Sequence, residues 1–236
     1  MIKVFIFAFN RPDLLELQVD SLRKFNQDLL YITVVQDKHD DSYDDEFKKI
    51  CNEIDVELVT HNAQSNRTAS QYHADSVQFV YDNLLRDGDV VLFLDHDMFA
   101  IEEMNLTEML GSNDVLGLYQ ERETVKYIWP GMMLFKYDSL KNLEFSLSPG
   151  SHNGQMLDTG GGTYRLFESN LSIQDSGVEY PESYNDQNLD NYAYPFELHL
   201  NNKFLHMRNS CQWDNNFVVT DHNKKTVLDF IMDEIL

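Results

Sequence analysis

The chain lacks three features that mark secreted, membrane or nucleic-acid-binding proteins: abundant cysteine, a long apolar run and an excess of basic residues. Its 236 residues include only two cysteines, Cys51 and Cys211. Because there are only two and they lie far apart in sequence, we predict that they are reduced thiols, as in cytosolic proteins. No apolar stretch approaches the roughly 20 residues that span a bilayer, and residues 1–7 lack the basic leader of a signal peptide. We therefore expect a cytoplasmic protein without a transmembrane segment.

The scarcity of basic residues excludes a further group of functions. The chain has 18 Lys and Arg against 40 Asp and Glu, which gives a formal net charge of -22. This charge repels phosphate backbones and anionic lipids, so we expect no sequence-independent binding to nucleic acid or to anionic membranes. A small phosphate-bearing ligand can still bind where a divalent cation and a few local basic groups offset the repulsion.

The chain does contain an alternation of apolar strands with amphipathic helices. Strands are predicted at residues 2–9, 31–36, 56–60 and 90–94, with helices that begin near Asn10 and Thr68. This alternation predicts an α/β fold in which helices flank a mostly parallel central sheet. The second half is less regular, with strands predicted at 114–120, 132–137 and 203–207, an aromatic loop at 127–131, a mobile loop at 148–162 and an amphipathic helix carrying 227–235. No repeat or linker divides the sequence, which predicts one domain over residues 1–236.

Two carboxylates follow the most apolar of these strands. Residues 90–94 have the length and β-branched content of a strand buried on both faces. Asp95 and Asp97 come directly after it, at the end of the strand where open α/β sheets bind their ligands. Paired carboxylates suit Mg²⁺ or Mn²⁺, and such a cation suits a phosphate or pyrophosphate. The alternative is an acidic turn after a core strand, because aspartate is common in turns.

Five segments, in this order along the chain, resemble the GT-A fold of nucleotide-sugar-dependent glycosyltransferases, in particular the small family-2-like enzymes of bacteria and viruses. They are residues 4–12 (VFIFAFNRP), 34–37 (VVQD), 92–97 (LFLDHD), 157–161 (LDTGG) and 206–213 (HMRNSCQW). The resemblance implies a nucleotide-binding half at residues 1–100 and an acceptor-binding half at residues 101–236. It also implies a metal-dependent enzyme that moves a hexose or related sugar from a nucleoside-diphosphate sugar to a hydroxyl acceptor such as a glycan.

The resemblance assigns the metal to three residues. Asp95 and Asp97 form the D-x-D motif, with Asp97 as a direct ligand and Asp95 reaching the ribose or the metal. His206 matches a late histidine that often supplies a further ligand, and its imidazole favours Mn²⁺ over Mg²⁺. A core histidine remains the alternative for His206.

The resemblance also implies a nucleotide site at the ends of the first two strands. Asn10, Arg11 and Asp37 lie there and are expected to seat the nucleotide together with Asp95. Asn10 and Arg11 could instead only open a helix, and Asp37 could be one more loop carboxylate.

The resemblance places residues that would bind the acceptor in the second half of the chain. Asp158 matches a carboxylate near the acceptor hydroxyl and would be the general base of an inverting transfer; the alternative is a helix cap. Gly160 and Gly161 are expected to belong to a substrate lid that contacts the acceptor. Trp129, on a Pro-Gly loop, is expected to stack on a sugar.

Two other classes of protein remain open. A nucleotidyltransferase that makes nucleotide sugars can share this core, but residues 9–13, after the first strand, lack the glycines that its phosphate loop usually carries. A non-catalytic carbohydrate- or nucleotide-binding protein on the same scaffold would have no need of the D-x-D motif or of the late histidine.

Overall fold

The computed structural model describes residues 1–38, 42–62, 67–179 and 196–207, to which every structural statement below refers. The α-helices are α1 (Leu15–Phe25), α2 (Asp44–Glu53), α3 (Ala69–Asn83), α4 (Leu106–Leu110) and α5 (Tyr137–Leu140), with 3₁₀ helices at Pro12–Leu14 and Gly161–Glu168. The strands are β1 (Ile2–Ala8), β2 (Leu30–Lys38), β3 (Glu57–Asn62), β4 (Val90–Asp95), β5 (Met98–Ala100), β6 (Val115–Arg122), β7 (Val125–Lys136), β8 (Gly150–His152), β9 (Gln155–Leu157), β10 (Ile173–Asp175), β11 (Val178–Glu179), β12 (Phe196–His199) and β13 (Phe204–Met207). Cys211 and the helix predicted at 227–235 lie outside the described residues.

A seven-stranded sheet forms the centre of the fold, in the order β10-β6-β7-β4-β1-β2-β3. Neighbouring strands from β3 to β4 run parallel, whereas β7 runs antiparallel to both β4 and β6. The predicted α/β class, with a mostly parallel central sheet flanked by helices, is therefore confirmed. Because the parallel strands end at one edge, the loops after β1, β2 and β4 share a single rim of the sheet.

The sheet is buried on both faces, and β4 contributes to each. Since successive side chains alternate between faces, Leu92 and Leu94 pack in the core cluster that contains the apolar side of α1. Val91 and Phe93 pack in the opposite cluster, with α3. Burial of each such side chain contributes roughly 1.5–3 kcal/mol. This two-sided burial explains why the β4 sequence is an unbroken apolar run.

A second, smaller sheet adjoins the first and has the order β11-β12-β13-β5. Neighbouring strands within this sheet are antiparallel, and His206 on β13 lies opposite Met98 on β5. β5 begins at the residue after Asp97. Its pairing with β13 therefore places the last described strand beside the end of β4. Among the described residues, no helix has both the length and the apolar composition to cross a bilayer.

Two sequence-based expectations need correction, and one helix was not expected. The aromatic segment at 127–131 is not a loop but part of β7, where the register with β6 shifts between Gly117 and Leu118. The stretch predicted as a mobile loop at 148–162 contains the β8–β9 hairpin and the start of a 3₁₀ helix. Helix α2 was not predicted, because its apolar side consists of little more than Phe47 and Cys51. Burial raises the pKa of the Cys51 thiol to about 11, in keeping with a structural role.

Candidate metal centre

The turn after β4 holds Asp95 and Asp97 at the rim of the sheet. Gln18, buried on α1, donates from Nε2 to the carbonyl oxygens of Asp95 at 2.7 Å and Met98 at 2.8 Å. On the other side, Nδ1 of His96 lies 3.0 Å from the carbonyl oxygen of Phe7 on β1. These contacts fix the backbone of the turn on both sides, and Asp97 is only 5% exposed.

His206 converges with Asp97, although more than a hundred residues separate them in sequence. Its Nε2 lies 3.5 Å from Oδ1 of Asp97, and the Met207 amide donates to the Asp97 carbonyl oxygen at 2.9 Å. The predicted proximity of His206 and Asp97 is thus confirmed. The pairing of β13 with β5 produces it, because that ladder brings His206 beside the start of β5.

Two further residues, Glu197 and His199 on β12, complete a buried cluster with His206. One carboxylate oxygen of Glu197, Oε1, lies 2.9 Å from Nδ1 of His206 and 3.2 Å from Nε2 of His199. Burial alone would raise the pKa of Glu197, but the imidazoles of His199 and His206 hold it well below its usual range. Burial lowers the pKa of His199. Burial would also lower the pKa of His206, yet the carboxylates of Asp97 and Glu197 hold it above its usual value.

Asp95 has a histidine neighbour of its own. Nε2 of His73, on α3, lies 3.3 Å from Oδ1 of Asp95, and the His73 ring meets Phe7 edge to face. Burial raises the pKa of Asp95; the His73 imidazole opposes this rise, and the charge of Asp97 adds to it. His73 falls on the apolar side of α3, and no local signal in the sequence marks it as a site residue.

The chemistry of these side chains fits a divalent cation. Oδ1 of Asp95 is buried and makes no hydrogen bond to any described residue, because its contact with His73 lies outside hydrogen-bonding geometry. Asp95 and Asp97 each have a buried Oδ1 atom. Neighbouring carboxylates repel each other, and a cation between them would remove that cost. Carboxylate oxygens with an imidazole nitrogen form a donor set that suits Mn²⁺.

The residues expected to seat a nucleotide lie on the same rim. Asn10 and Arg11 follow β1, and Asp37 lies near the end of β2, where Ala8 pairs with Gln36. Asp37 is buried at 4% exposure. Arg11 forms a two-pronged ion pair with Asp13, at 2.8 Å and 2.7 Å. Their contact with a nucleotide stays a prediction.

Trp129 also lies at this centre. Its ring centroid is 5.3 Å from that of His206, and a Cβ added at Gly131 would collide with the indole. The indole is partly buried against the core cluster on the α1 side of the sheet. The structure thus places Trp129 beside the expected metal ligand, where stacking on a sugar stays a prediction.

The segment that carries Asp158 packs between β7 and α3. Oγ1 of Thr159 donates to the carbonyl oxygen of Ser70, one helical turn before His73. Gly160 adopts φ +84°, and a Cβ there would collide with the Ile128 carbonyl oxygen; a Cβ on Gly161 would crowd Leu157. Both glycines therefore stand where the backbone packs closely, and their place in a substrate lid stays a prediction. Asp158 is exposed, and its Oδ1 accepts from the Thr159 amide at 2.8 Å.

Replacing Gly160 by alanine is expected to destabilise the protein by more than about 2 kcal/mol, because left-handed strain adds to a backbone collision. Gly154→Ala is the matched control, since Gly154 has φ +80° with open space around it. The control is expected to cost only about 1 kcal/mol. Urea unfolding of both variants measures the difference. Equal losses of stability would show that the segment yields to the added methyl group.

Comparison with known proteins rests on structure alone. The sequence matches no profile of a known protein family. No curated protein matches it either. The mannosyltransferase PcManGT from Pyrobaculum calidifontis, solved with GDP-Man and Mn²⁺, is similar with a TM-score of 0.52 at 12% identity, over 74% of this chain and 54% of that chain.

Two other solved structures show weaker similarity. Staphylococcus aureus TarS matches with a TM-score of 0.48 at 15% identity, over 75% of this chain and 35% of that chain. The glycosyltransferase GlyE of Streptococcus pneumoniae matches at 0.43 and 13%, over 75% and 46%. The chain thus spans about half the length, or less, of these three proteins. The mostly parallel seven-stranded sheet flanked by helices and the likeness to the mannosyltransferase together identify the fold of this chain as GT-A.

Proposed function

We propose that this protein is a metal-dependent glycosyltransferase that moves a sugar from a nucleoside-diphosphate sugar to a hydroxyl acceptor. One observation carries the proposal: Nε2 of His206 and Oδ1 of Asp97 lie 3.5 Å apart at the ligand-binding end of β4. An acidic turn of purely structural use gives no reason for a distant histidine to meet the second aspartate of the motif. The GT-A fold supports the same function, as this fold is shared with proteins that bind nucleotide sugars.

On the donor side, one group of residues would bind the cation and another the nucleotide. Asp97 and His206 would hold the cation, and Asn10, Arg11 and Asp37 would seat the nucleotide on the same rim. When bound, a divalent cation offsets the charge that develops on a departing diphosphate. The halves proposed at 1–100 and 101–236 meet here, because His206 of the second half completes the centre begun by Asp97 of the first.

On the acceptor side, two residues have proposed tasks. Trp129 would position a sugar by stacking, since its partly exposed indole borders His206. Asp158 would accept the proton of the attacking hydroxyl group, because it is an exposed carboxylate on a segment docked one turn from His73. Gly160 and Gly161 would serve the acceptor by holding this segment in place, so that water is kept from the reacting carbon.

The test is a thermal-shift screen of nucleoside diphosphates with Mn²⁺, with Mg²⁺ and with chelator. We expect stabilisation by one nucleotide only when a metal is present, and more with Mn²⁺ than with Mg²⁺ because imidazole is a ligand. The matching nucleotide sugars are then assayed for metal-dependent release of the diphosphate. Release of pyrophosphate from a nucleoside triphosphate and a sugar phosphate would instead identify a nucleotidyltransferase. Metal-dependent binding without turnover of any sugar would favour the binding protein.

A further inference from the structure

Glu197 occupies a defined place behind the proposed metal ligand His206. The two residues are direct partners in the β12–β13 ladder, so their side chains share one face of the small sheet. On the opposite side of His206, β13 pairs with β5, which Asp97 precedes. The imidazole therefore lies between two carboxylates, with Asp97 at its Nε2 and Glu197 at its Nδ1.

This order of atoms decides which ring nitrogen faces the cation. An ionised carboxylate only accepts hydrogen bonds, so Nδ1 of His206 must donate to Glu197 across 2.9 Å. The neutral ring then carries its lone pair on Nε2, the atom directed at Asp97. Histidines that bind metals commonly donate their second nitrogen to a carboxylate, which fixes the tautomer and the ring orientation.

His199 supports Glu197 from the other side. It lies two residues after Glu197 on β12, so both side chains point to the same face. Its side chain is fully buried. Its Nε2 lies 3.2 Å from Oε1 of Glu197, the same oxygen that accepts the hydrogen bond from His206. The buried His199 ring therefore limits movement of the Glu197 carboxylate away from His206.

We propose that Glu197, backed by His199, is a positioning residue that presents Nε2 of His206 to the metal. The inference rests on the proposed metal site and adds a residue that acts through His206 without touching the cation. The three side chains could alternatively hold a second metal ion themselves, since their ligand atoms lie within 4.8 Å of one another. The short contact between Glu197 and Nδ1 of His206 favours positioning, because an ion there would take the place of that hydrogen bond.

The experiment measures binding of Mn²⁺ alone by electron paramagnetic resonance of the free ion, on the full chain. Glu197→Gln is expected to weaken Mn²⁺ affinity about 10-fold or more, the usual effect of losing such a partner. Glu102→Gln is the matched control: it removes an exposed ion pair with Lys203, next to the same sheet, and is expected to leave the affinity unchanged. Wild-type affinity in Glu197→Gln, with its melting temperature unchanged, would overturn the proposal.

A second measurement needs no variant and separates positioning from mere structural support. Long-range ¹H–¹⁵N spectra of the metal-free wild-type protein, at a pH where His206 is neutral, report its tautomer. The Nδ1–H form is expected, with a shift toward the Nε2–H form in Glu197→Gln. An Nε2–H form in the wild type would overturn the inference, because Nε2 would then have no lone pair to offer.

The outcomes also separate this inference from the proposed function. If Asp97→Ala abolishes Mn²⁺ binding and Glu197→Gln does not affect it, the metal site stands and only the positioning role fails. If the wild type binds no Mn²⁺, both the proposed function and the positioning role are contradicted. Two bound equivalents of Mn²⁺, of which Glu197→Gln loses one and Asp97→Ala the other, would make Glu197 a ligand and overturn the inference.

Discussion

Replacing Asp97 by alanine is expected to abolish Mn²⁺-dependent binding of a nucleoside diphosphate while the fold survives. The carboxylate is 7% exposed, and its Oδ1 faces Nε2 of His206, so the change removes a ligand from the centre of the site. Loss of a buried charged partner costs roughly 3 kcal/mol or more, so nucleotide affinity in Mn²⁺ should fall by at least about 100-fold, to the level measured without the metal. Stability should change little, because the substitution also removes the repulsion between the charges of Asp97 and Asp95. Calorimetric titration of the nucleotide with and without Mn²⁺ measures the effect.

Asp87→Ala provides the matched control at the other end of β4. Its carboxylate is 81% exposed and pairs with Lys141 on the surface, so nucleotide affinity should stay unchanged. Two results with Asp97→Ala would contradict the assignment. Unchanged Mn²⁺-dependent affinity would remove Asp97 from the metal site. An equal loss of affinity with and without Mn²⁺ would mean that Asp97 acts on the nucleotide without the metal.

Local sequence patterns predicted the first half of the fold well. The strand predicted at 90–94 is β4 (Val90–Asp95), and the helix predicted to begin near Thr68 is α3 (Ala69–Asn83). Thr68 and Gln71 form a capping box at the start of α3, a signal that lies within four residues of sequence. Such elements are readable because their determinants are local: apolar runs, helical periodicity and caps.

The metal centre could be predicted only in part, for a physical reason. Asp95 and Asp97 stand next to a recognisable strand, so their position at the rim follows from local sequence. His73 and Glu197 enter through tertiary contacts, and nothing near them in sequence specifies Asp95 or His206 as a partner. Glu197 and His199 alternate along a short strand, and this two-residue spacing was the one local signal that could have placed them on a common face.

The glycines of the later segment show how one residue type permits two interpretations. A run of glycine is compatible with a mobile hinge and with close backbone packing, because both require the absence of a Cβ. At Gly160 the structure shows close packing, because its α-carbon faces the Ile128 carbonyl group. That contact links residues 32 positions apart, and so no inspection of the run itself could have revealed it.

The second large effect is expected for Asp158→Asn, which should lower turnover by about 100-fold or more if Asp158 is the general base. Asparagine keeps the size of the side chain and can still accept a hydrogen bond from the Thr159 amide, the contact observed at 2.8 Å. It loses only the basicity, so donor binding and the melting temperature should stay unchanged. Steady-state kinetics with an identified acceptor, together with thermal unfolding of the same variant, measures both quantities.

Asp158→Ala separates the two roles open to this residue. Alanine removes both the basicity and the hydrogen bond to the Thr159 amide, so it should match asparagine in turnover and lose roughly 1 kcal/mol of stability in addition. If Asp158 only caps the turn that leads into the 3₁₀ helix Gly161–Glu168, the pattern reverses. The asparagine variant would then turn over normally, and the alanine variant would lose stability with little loss of turnover per folded molecule. Normal turnover in Asp158→Asn therefore assigns the general base to another residue.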